Sequence, residues 1–392
     1  MILDSKSCDV MIIGAGIVGL TCALALGEMG YHVVIVDERI FGTQKKSNPI
    51  RFSAIHYQNY EWFKRLNIWD SIDQDCVSRF TQVIARTEDY LGEIEFNSVL
   101  SGFDEIGFIV QNDALQSSLL NAVCSHECIQ CEQSKPIQLH RYVNHVLCLL
   151  ENECSYDTKL FIGADGIHSW VKQHVDFRTY YRDYHHHAII GNIRLSYPHQ
   201  NRARQVFFSQ GILALLPLTD PHECSIVLSV LPKEAKRIMS MTKDKFAQYL
   251  LCKTVGELGE IKVLTLLQSY PLAMRYTLQF AEQNIVLIGD AAHTIHPLAG
   301  QGLNLGLGDV HCLTRLCQDY GIQVSTLSII TRRYQRERQA KAQDLIVAMQ
   351  GLKWLFDGQN EIKNNLARYG LLMVNHSKKL KTYFLRKASK EV

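Results

Sequence analysis

The sequence predicts an α/β fold in which a Rossmann-like domain is interleaved with a mainly β domain and followed by C-terminal helices. Three observations favour this fold. A glycine-rich turn joins an apolar strand to a helix at Gly14–Gly19. Two later apolar strands end on glycine and aspartate, at Gly163–Gly166 and Gly289–Asp290. Because these features lie far apart in the chain, one domain must be assembled from separated segments, with the strands of a second domain in the gaps.

The N-terminal turn has the pattern G-x-G-x-x-G. Its glycines are Gly14, Gly16 and Gly19. They follow a predicted strand at Val10–Ile13 and open a helical run at Val18–Met29. The first glycine permits a tight turn, the second lets the backbone approach a pyrophosphate, and the third lets the helix pack on the strand. The next strand ends at Asp37, which is placed to accept hydrogen bonds from ribose hydroxyls. The unit predicts a site for FAD or NAD, rather than the membrane span suggested by its apolar composition.

The segment from Ile285 to Asp309 favours FAD over NAD. Its strand, predicted at Ile285–Ile288, ends on Asp290, and ligands bind at such strand ends in open α/β sheets. A helix that begins near Gly302–Asn304 directs its positive end toward a ligand. This end stabilises negative charge on a reduced flavin.

At these residues the sequence resembles the FAD-dependent hydroxylases of ubiquinone biosynthesis. These enzymes belong to the aromatic flavoprotein monooxygenases related to p-hydroxybenzoate hydroxylase. The resemblance is strongest in HPLAGQGLNLGLGD at 296–309. It extends over nearly the whole chain, through RFSAI at 51–55, VQNDALQ at 110–116 and RYQRER at 333–338.

The resemblance implies which residues form the site. It assigns cofactor contacts to Gly14, Gly16, Gly19, Asp37, Arg51, Gln116, Asp165, Asp290, Gly300, Gly302, Leu303 and Asn304. It places Pro297 beside the substrate ring, and His296 is a candidate catalytic residue. His293 or a tyrosine of the second sheet are alternatives for an acid–base role. Lys172 departs from the family pattern, in which arginine is usual at that position.

The resemblance also implies a reaction. The expected enzyme hydroxylates the ring of a polyprenyl phenol with O2 through a flavin C4a-hydroperoxide, using NAD(P)H or another electron donor as reductant. The sequence has no second G-x-G-x-x-G domain, so a nicotinamide nucleotide must visit the flavin transiently. Two alternatives stay open: a monooxygenase of the same fold that acts on a soluble aromatic or an antibiotic, and a non-catalytic flavin-binding assembly subunit.

The positions of the motifs predict the domain boundaries. The FAD-binding domain comprises residues 1–75, 103–176 and 272–321. The substrate-binding sheet domain comprises residues 76–102 and 177–271, and a C-terminal helical region covers residues 322–392.

The amino-acid composition limits the classes of partner and the cellular location that we expect for this protein. With 41 basic and 39 acidic residues, the chain shows no basic excess typical of nucleic-acid binding. Twelve cysteines without a secretory leader predict reduced thiols and a cytoplasmic protein. No metal site is predicted, since the cysteines spaced like iron–sulfur ligands lack a fourth ligand. The last 17 residues carry a net charge of +5, typical of a packed terminal helix with a solvated side or of peripheral contact with a membrane. Other ubiquinone-biosynthesis proteins and a second copy of the chain are further candidate partners.

Overall fold

The computed structural model describes residues 5–39, 51–89, 91–100, 102–209, 211–294, 301–355, 361–377 and 379–382. Its strands are β1 Lys6–Ile13, β2 Val33–Asp37, β3 Phe52–His56, β4 Val77–Phe80, β5 Gln82–Thr87, β6 Glu93–Asn97, β7 Gly107–Gln111, β8 Ile129–Gln133, β9 Pro136–Arg141, β10 Val146–Leu150, β11 Ser155–Gly163, β12 Thr179–Leu195, β13 Arg202–Phe208, β14 Gly211–Pro217, β15 Glu223–Val230, β16 Ile261–Val263, β17 Gln268–Thr277, β18 Ala281–Glu282, β19 Ile285–Leu287 and β20 His293–Thr294. Its helices are α1 Ile17–Gly27, α2 Tyr57–Arg65, α3 Asn112–Ser125, α4 Trp170–His174, α5 Pro232–Met239, α6 Lys243–Lys253, α7 Gln301–Tyr320, α8 Val324–Leu355 and α9 Glu361–His376.

The first sheet brings the three sequence motifs to one edge. Strands β19, β11, β1, β2 and β8 are neighbours in that order, and each of these pairs is parallel. In the register of this sheet Ile13 lies beside Gly163, and Gly163 lies beside Leu287. Because parallel strands end at the same edge, the segments that follow these three residues are neighbours in space. The predicted strand–turn–helix at residues 10–29 is therefore confirmed.

The second sheet has one face covered by helices and another face that carries half-buried apolar residues. Its order is β20-β17-β12-β15-β14-β13-β5-β6, and among the described strands of this sheet only the β13–β5 pair is parallel. Side chains alternate between the two faces of a strand. One face packs against α5 and α6 through buried residues such as Ile189, Leu213, Leu228, Phe246 and Leu250. The other face carries half-buried apolar residues, which are Ile190, Ile212, Ala214, Leu216 and Val227.

The second sheet continues past the predicted boundary at residue 271. Strand β17 runs to Thr277, and β20 at His293–Thr294 pairs with it. The long β12 reaches far enough to keep β17 paired over this whole length. The division of the chain into domains stays a prediction.

Helices complete the fold. Helix α7 packs against both α1 and α8, and α9 packs against β6, where the backbone N–H of Glu95 donates to Asn375 Oδ1 at 3.2 Å. Among the described residues no helix is both long and apolar enough to cross a bilayer. The apolar run at residues 11–27 instead forms the end of β1, the glycine turn and α1.

Candidate active site

The glycine turn between β1 and α1 leaves room for a ligand at one position only. Gly14 has φ +109°, and a Cβ there would lie 2.5 Å from the carbonyl oxygen of Ala164. A Cβ at Gly19 would overlap the carbonyl oxygen of Gly14. A Cβ at Gly16, by contrast, would meet nothing within 4 Å. Gly14 and Gly19 therefore serve the fold itself, whereas Gly16 borders open space that a phosphate group can enter.

The N-terminus of α1 fits an anion. Its N-cap, Gly16, offers no side-chain hydrogen bond, and the first turn contains no acidic residue. The first N–H groups of a helix lack partners within the helix, and phosphates commonly supply the missing acceptors. The arrangement therefore suits the pyrophosphate of FAD.

Asp37 and Gln116 brace this turn from either side. Asp37 Oδ2 accepts from the backbone N–H of Ala15 at 2.8 Å, and Oδ1 accepts from that of Arg39 at 3.0 Å. Gln116 Nε2 donates to the carbonyl oxygen of Ala15 at 2.8 Å. A carboxylate has about four acceptor positions, so Asp37 keeps capacity for ribose hydroxyls.

Asp165 lies directly behind the glycine turn and retains an unused oxygen. Its Oδ2 accepts from the backbone N–H groups of Trp170 and Val171 at 2.6 and 3.2 Å. Its Oδ1 is buried and has no hydrogen-bond partner among the described residues. Burial raises the pKa of this carboxyl. Buried polar atoms in folded proteins are normally hydrogen-bonded. An unpartnered acceptor at this edge of the sheet fits a cofactor hydroxyl or amide.

Asp290 lies in a 3-10 turn after β19 and is the second carboxylate of the site. The residue is exposed to solvent, yet enough protein surrounds it that desolvation raises the pKa of its carboxyl. His293, Arg51 and Lys172 oppose this rise in the pKa. The chemistry of two carboxylates beside open space suits the hydroxyl-rich chain that joins a flavin to its pyrophosphate.

Lys172 and Arg275 are site residues to which the sequence analysis gave no role. Lys172 is only 8% exposed, and burial together with nearby Arg275 lowers the pKa of its ammonium group. Asp165 and Asp290 act on this pKa in the opposite direction. Arg275 reaches the site from β17, where its Nη1 donates to the carbonyl oxygen of Ile167 at 3.2 Å. The S-x-x-K pattern at residues 169–172 indicated that Lys172 lies near the cofactor motif, whereas no local pattern indicated a role for Arg275.

Arg51 connects the site to the second sheet. Its guanidinium lies 6.0 Å from the centre of the Tyr270 ring. Tyr270 pairs with Ala188 in β12, so it lies on the same face as Ile190. The half-buried apolar face of the second sheet therefore lies near the edge of the first sheet that carries Asp290.

Asn304 uses its side chain within the protein. Its Oδ1 accepts from the backbone N–H of His56 at 3.1 Å and from Asn59 Nδ2 at 2.8 Å. Its Nδ2 donates to the carbonyl oxygen of Ala54 at 2.7 Å. These bonds fix the start of α7 against β3 and α2. The predicted flavin contact of Asn304 therefore concerns its backbone, together with Gly302 and Leu303, and it stays a prediction.

Three predicted residues lie outside the described part of the chain, namely His296, Pro297 and Gly300. The alternative acid–base residue His293 is described and is 3% exposed. Its Nε2 lies 2.7 Å from Asp309 Oδ2, so this histidine belongs to a buried ionic cluster.

Gly16→Ala and Gly19→Ala are expected to have different effects. Gly16→Ala should leave the unfolding of the flavin-free protein nearly unchanged and weaken FAD binding, because its methyl enters the open space before α1. Gly19→Ala should lower the free energy of unfolding by about 1–3 kcal/mol, the usual cost of overpacking. Denaturant unfolding of the flavin-free proteins and FAD titration measure the two effects. Equal losses of stability in both variants would contradict the assignment.

Comparison with known proteins identifies a matching family and several relatives. A family model described as an FAD binding domain matches residues 7–347. The 3-demethoxyubiquinol 3-hydroxylase of Escherichia coli is 27% identical over 370 residues, covering 93% of this chain and 92% of the relative. The human mitochondrial ubiquinone biosynthesis monooxygenase COQ6 is 27% identical over 438 residues, covering 97% of this chain and 92% of the relative.

Solved structures share the fold. PqsL of Pseudomonas aeruginosa, solved with 2-aminobenzoylacetate, has a TM-score of 0.80 at 19% identity and covers 94% of this chain and 100% of its own. The p-nitrophenol 4-monooxygenase PnpA of Pseudomonas putida has a TM-score of 0.79 at 15% identity and covers 98% of both chains. The predicted fold class is confirmed.

Proposed function

This chain belongs to the FAD-binding domain family, with FAD as its cofactor, and from that premise we propose that it is a monooxygenase of ubiquinone biosynthesis that hydroxylates the aromatic ring of a polyprenyl phenol. The relatives named as a ubiquinol hydroxylase and a ubiquinone biosynthesis monooxygenase support this proposal. The observation that carries it is that the α1 N-terminus, Asp165 and Asp290 follow neighbouring strands at one edge of the first sheet, and that Arg51 links this edge to the half-buried apolar face of the second sheet.

The proposed roles of the site residues follow from their positions. Gly16 and the N-terminus of α1 hold the pyrophosphate, with Gly14 and Gly19 shaping the turn, and Asp37 holds the ribose. Asp165 and Asp290 accept hydrogen bonds from the ribityl chain. Further cofactor contacts are proposed for Arg51, Gln116, Gly300, Gly302, Leu303 and Asn304. Pro297 is proposed to lie beside the substrate ring, and His296 is proposed as a catalytic residue.

The protein positions the substrate ring beside the flavin and excludes water from the site. Bound FAD supplies the two-electron chemistry that activates O2. The overall change converts the phenol, O2, NAD(P)H and a proton into the hydroxylated phenol, water and NAD(P)+. Residues on the sheet face must hold the ring close to the flavin and exclude water, because water diverts activated oxygen to hydrogen peroxide. Lys172 and Arg275 offer positive charge to a visiting anionic electron donor.

The inner face of the second sheet favours a lipid substrate over a soluble aromatic. Ile190 lies directly opposite Val227, and Val227 lies opposite Ala214 on the other side. Ile212 and Leu216 flank Ala214 on its own strand and point to the same face. All five are half-buried. We call these five residues the apolar band. A prenyl chain that packs on the apolar band has its apolar surface removed from water, which contributes roughly 25 cal/mol of binding free energy per Å² buried.

The function is tested by turnover with matched phenols. The FAD-loaded protein, NAD(P)H and isotopically labelled O2 are incubated with a polyprenyl phenol or with p-hydroxybenzoate. We expect one labelled oxygen atom in the polyprenyl product and a much lower rate with the soluble acid. Faster hydroxylation of the soluble acid would favour the alternative substrate class. Bound FAD with no hydroxylation of any phenol would favour an assembly subunit.

We also propose that the C-terminal region contacts an anionic membrane surface. One side of α9 packs on β6, whereas Tyr369 and Met373 remain 69% and 67% exposed on the same helical stripe as His376. Lys379 follows this stripe in the basic tail. Aromatic and apolar side chains beside basic residues are typical of interfacial helices.

Vesicle binding tests the membrane contact. The double variant Tyr369→Glu, Met373→Glu is expected to reduce co-sedimentation with phosphatidylglycerol vesicles several-fold, because it places negative charge on the exposed stripe. Leu266→Glu is the control, since Leu266 is 67% exposed in the loop between β16 and β17. Equal binding of the double variant and the wild type, or equal binding to phosphatidylcholine, would contradict the proposal.

A further inference from the structure

The carboxylate of Asp309 is the centre of a buried hydrogen-bond cluster. Asp309 lies on α7 and is 0% exposed. Its Oδ2 accepts from the backbone N–H of Gly289 at 2.9 Å and lies 2.7 Å from His293 Nε2. Its Oδ1 accepts from Arg338 Nε of α8 at 2.7 Å. One side chain therefore joins the end of β19, strand β20 and two helices.

The cluster is charge-compensated. His293 and Arg338 hold the pKa of the Asp309 carboxyl below its ordinary value in spite of complete burial. Arg338 is 3% exposed, and its Nη2 also donates to the carbonyl oxygen of Leu305 at 3.0 Å. A buried carboxylate that accepts three hydrogen bonds and faces a buried guanidinium is a well-satisfied anion.

The contacts of Asp309 bracket Asp290. Gly289 directly precedes Asp290, and His293 follows it by three residues. Gly289 has φ +60°, and a Cβ there would lie 3.2 Å from Val18 of α1. At Gly306 of α7, a Cβ would lie 3.1 Å from Gly289 Cα. The turn that carries Asp290 thus packs tightly between α7 and α1, the helix whose N-terminus is proposed to bind the pyrophosphate.

We propose that Asp309, paired with Arg338, is a positioning residue for FAD binding that acts through Asp290. Its carboxylate holds the backbone N–H of Gly289 on one side of Asp290 and the imidazole of His293 on the other, so that the turn keeps the Asp290 carboxylate toward the cofactor before the cofactor arrives. The inference rests on the proposed contact of Asp290 with FAD and is independent of the phenol that the enzyme hydroxylates. No other described residue accepts a hydrogen bond from the backbone N–H of Gly289.

A second ion pair between the same helices supplies a matched control. Arg315 of α7 and Glu337 of α8 lie 2.6 Å apart, and their side chains are 49% and 39% exposed. This pair joins α7 to α8 at the surface and makes no described contact with the turn at Gly289. Its removal tests whether loss of a link between the helices is sufficient to disturb the cofactor.

A double-mutant cycle measured by FAD titration tests the proposal. Asp309→Asn is expected to raise the dissociation constant of FAD at least about tenfold, because a misplaced Asp290 loses its charged hydrogen bond to FAD, and loss of such a bond changes an affinity by this order. When Asp290 is already asparagine, the same change should add less than about threefold, because coupled residues are not additive. Glu337→Gln should leave the dissociation constant unchanged.

Several outcomes would overturn the proposal. An unchanged dissociation constant in Asp309→Asn would do so, as would full multiplication of the two effects in the double variant. If Asp309→Asn fails to fold, Arg338→Lys replaces it. Lysine keeps the charge but cannot reproduce the paired hydrogen bonds of the guanidinium to Asp309 and to the carbonyl oxygen of Leu305. The same cycle with Arg338→Lys then decides. Wild-type-like FAD binding in Asp290→Asn would contradict the assignment of Asp290 to the FAD site. If the double-mutant cycle shows the expected coupling but the protein hydroxylates no phenol, only the proposed function is contradicted.

Discussion

Replacing Asp290 with asparagine is expected to weaken FAD binding by about 10- to 100-fold. A hydrogen bond to a charged group contributes about 1.5–3 kcal/mol, which corresponds to this range of affinity. Asparagine keeps the shape of the side chain but loses the charge and one acceptor oxygen. The measurement is the dissociation constant of FAD, obtained by fluorescence titration of flavin-free protein.

The control and the pH dependence make this prediction specific. Asp319→Asn changes a carboxylate near the C-terminal end of α7, where it pairs with the exposed Arg315 at 3.4 Å, and should leave FAD binding unchanged. Desolvation raises the pKa of Asp290. A contact made by its ionised form is therefore lost as the pH falls through this raised pKa, earlier than for an ordinary carboxyl. The wild type should approach the variant on acidification, and a difference that does not depend on pH would contradict a role for the charge.

The features that the sequence predicted correctly are those encoded over short distances. The strand at residues 10–13, the glycine turn and α1 follow from local composition and spacing, and the structure confirms each. Asp165 follows the end of β11, as the sequence predicted, and its contact with a cofactor stays a prediction. A short motif fixes such positions since each depends on only a few neighbouring residues.

The contacts that the sequence did not predict join distant segments. Arg275 comes near Lys172 because β17 pairs with β12 so that Arg275 lies beside Tyr181, a register that no local pattern encodes. The bond from Arg338 to Asp309 likewise depends on how α8 packs on α7. The side-chain bonds of Asn304 to β3 and α2 were not predicted either, since the resemblance assigned only the backbone of this residue to the flavin. Motifs show which residues recur in a family, whereas three-dimensional packing shows what each side chain contacts.

Val227→Asp is expected to lower the catalytic efficiency with a polyprenyl phenol by about 100-fold or more while leaving FAD bound. Val227 is half-buried at the centre of the apolar band, opposite Ile190 on one side and Ala214 on the other. Because Val227 is half-buried and not fully buried, we expect an aspartate there to keep part of its hydration in the free protein, so the chain should fold. A bound prenyl phenol would strip water from the carboxylate, and burial of a polar group without a partner costs about 2–7 kcal/mol.

Steady-state kinetics and flavin content distinguish this effect from a general loss of structure. Leu231→Asp is the matched control, because Leu231 directly follows β15 and is 42% exposed at the N-cap of α5, where aspartate is favourable. It should keep both activity and flavin. Val227→Ala should cause a much smaller loss than Val227→Asp, since it keeps the band apolar. If Val227→Asp retains full activity with the polyprenyl phenol, this face of the second sheet does not hold the substrate, and a soluble aromatic bound elsewhere becomes the better proposal.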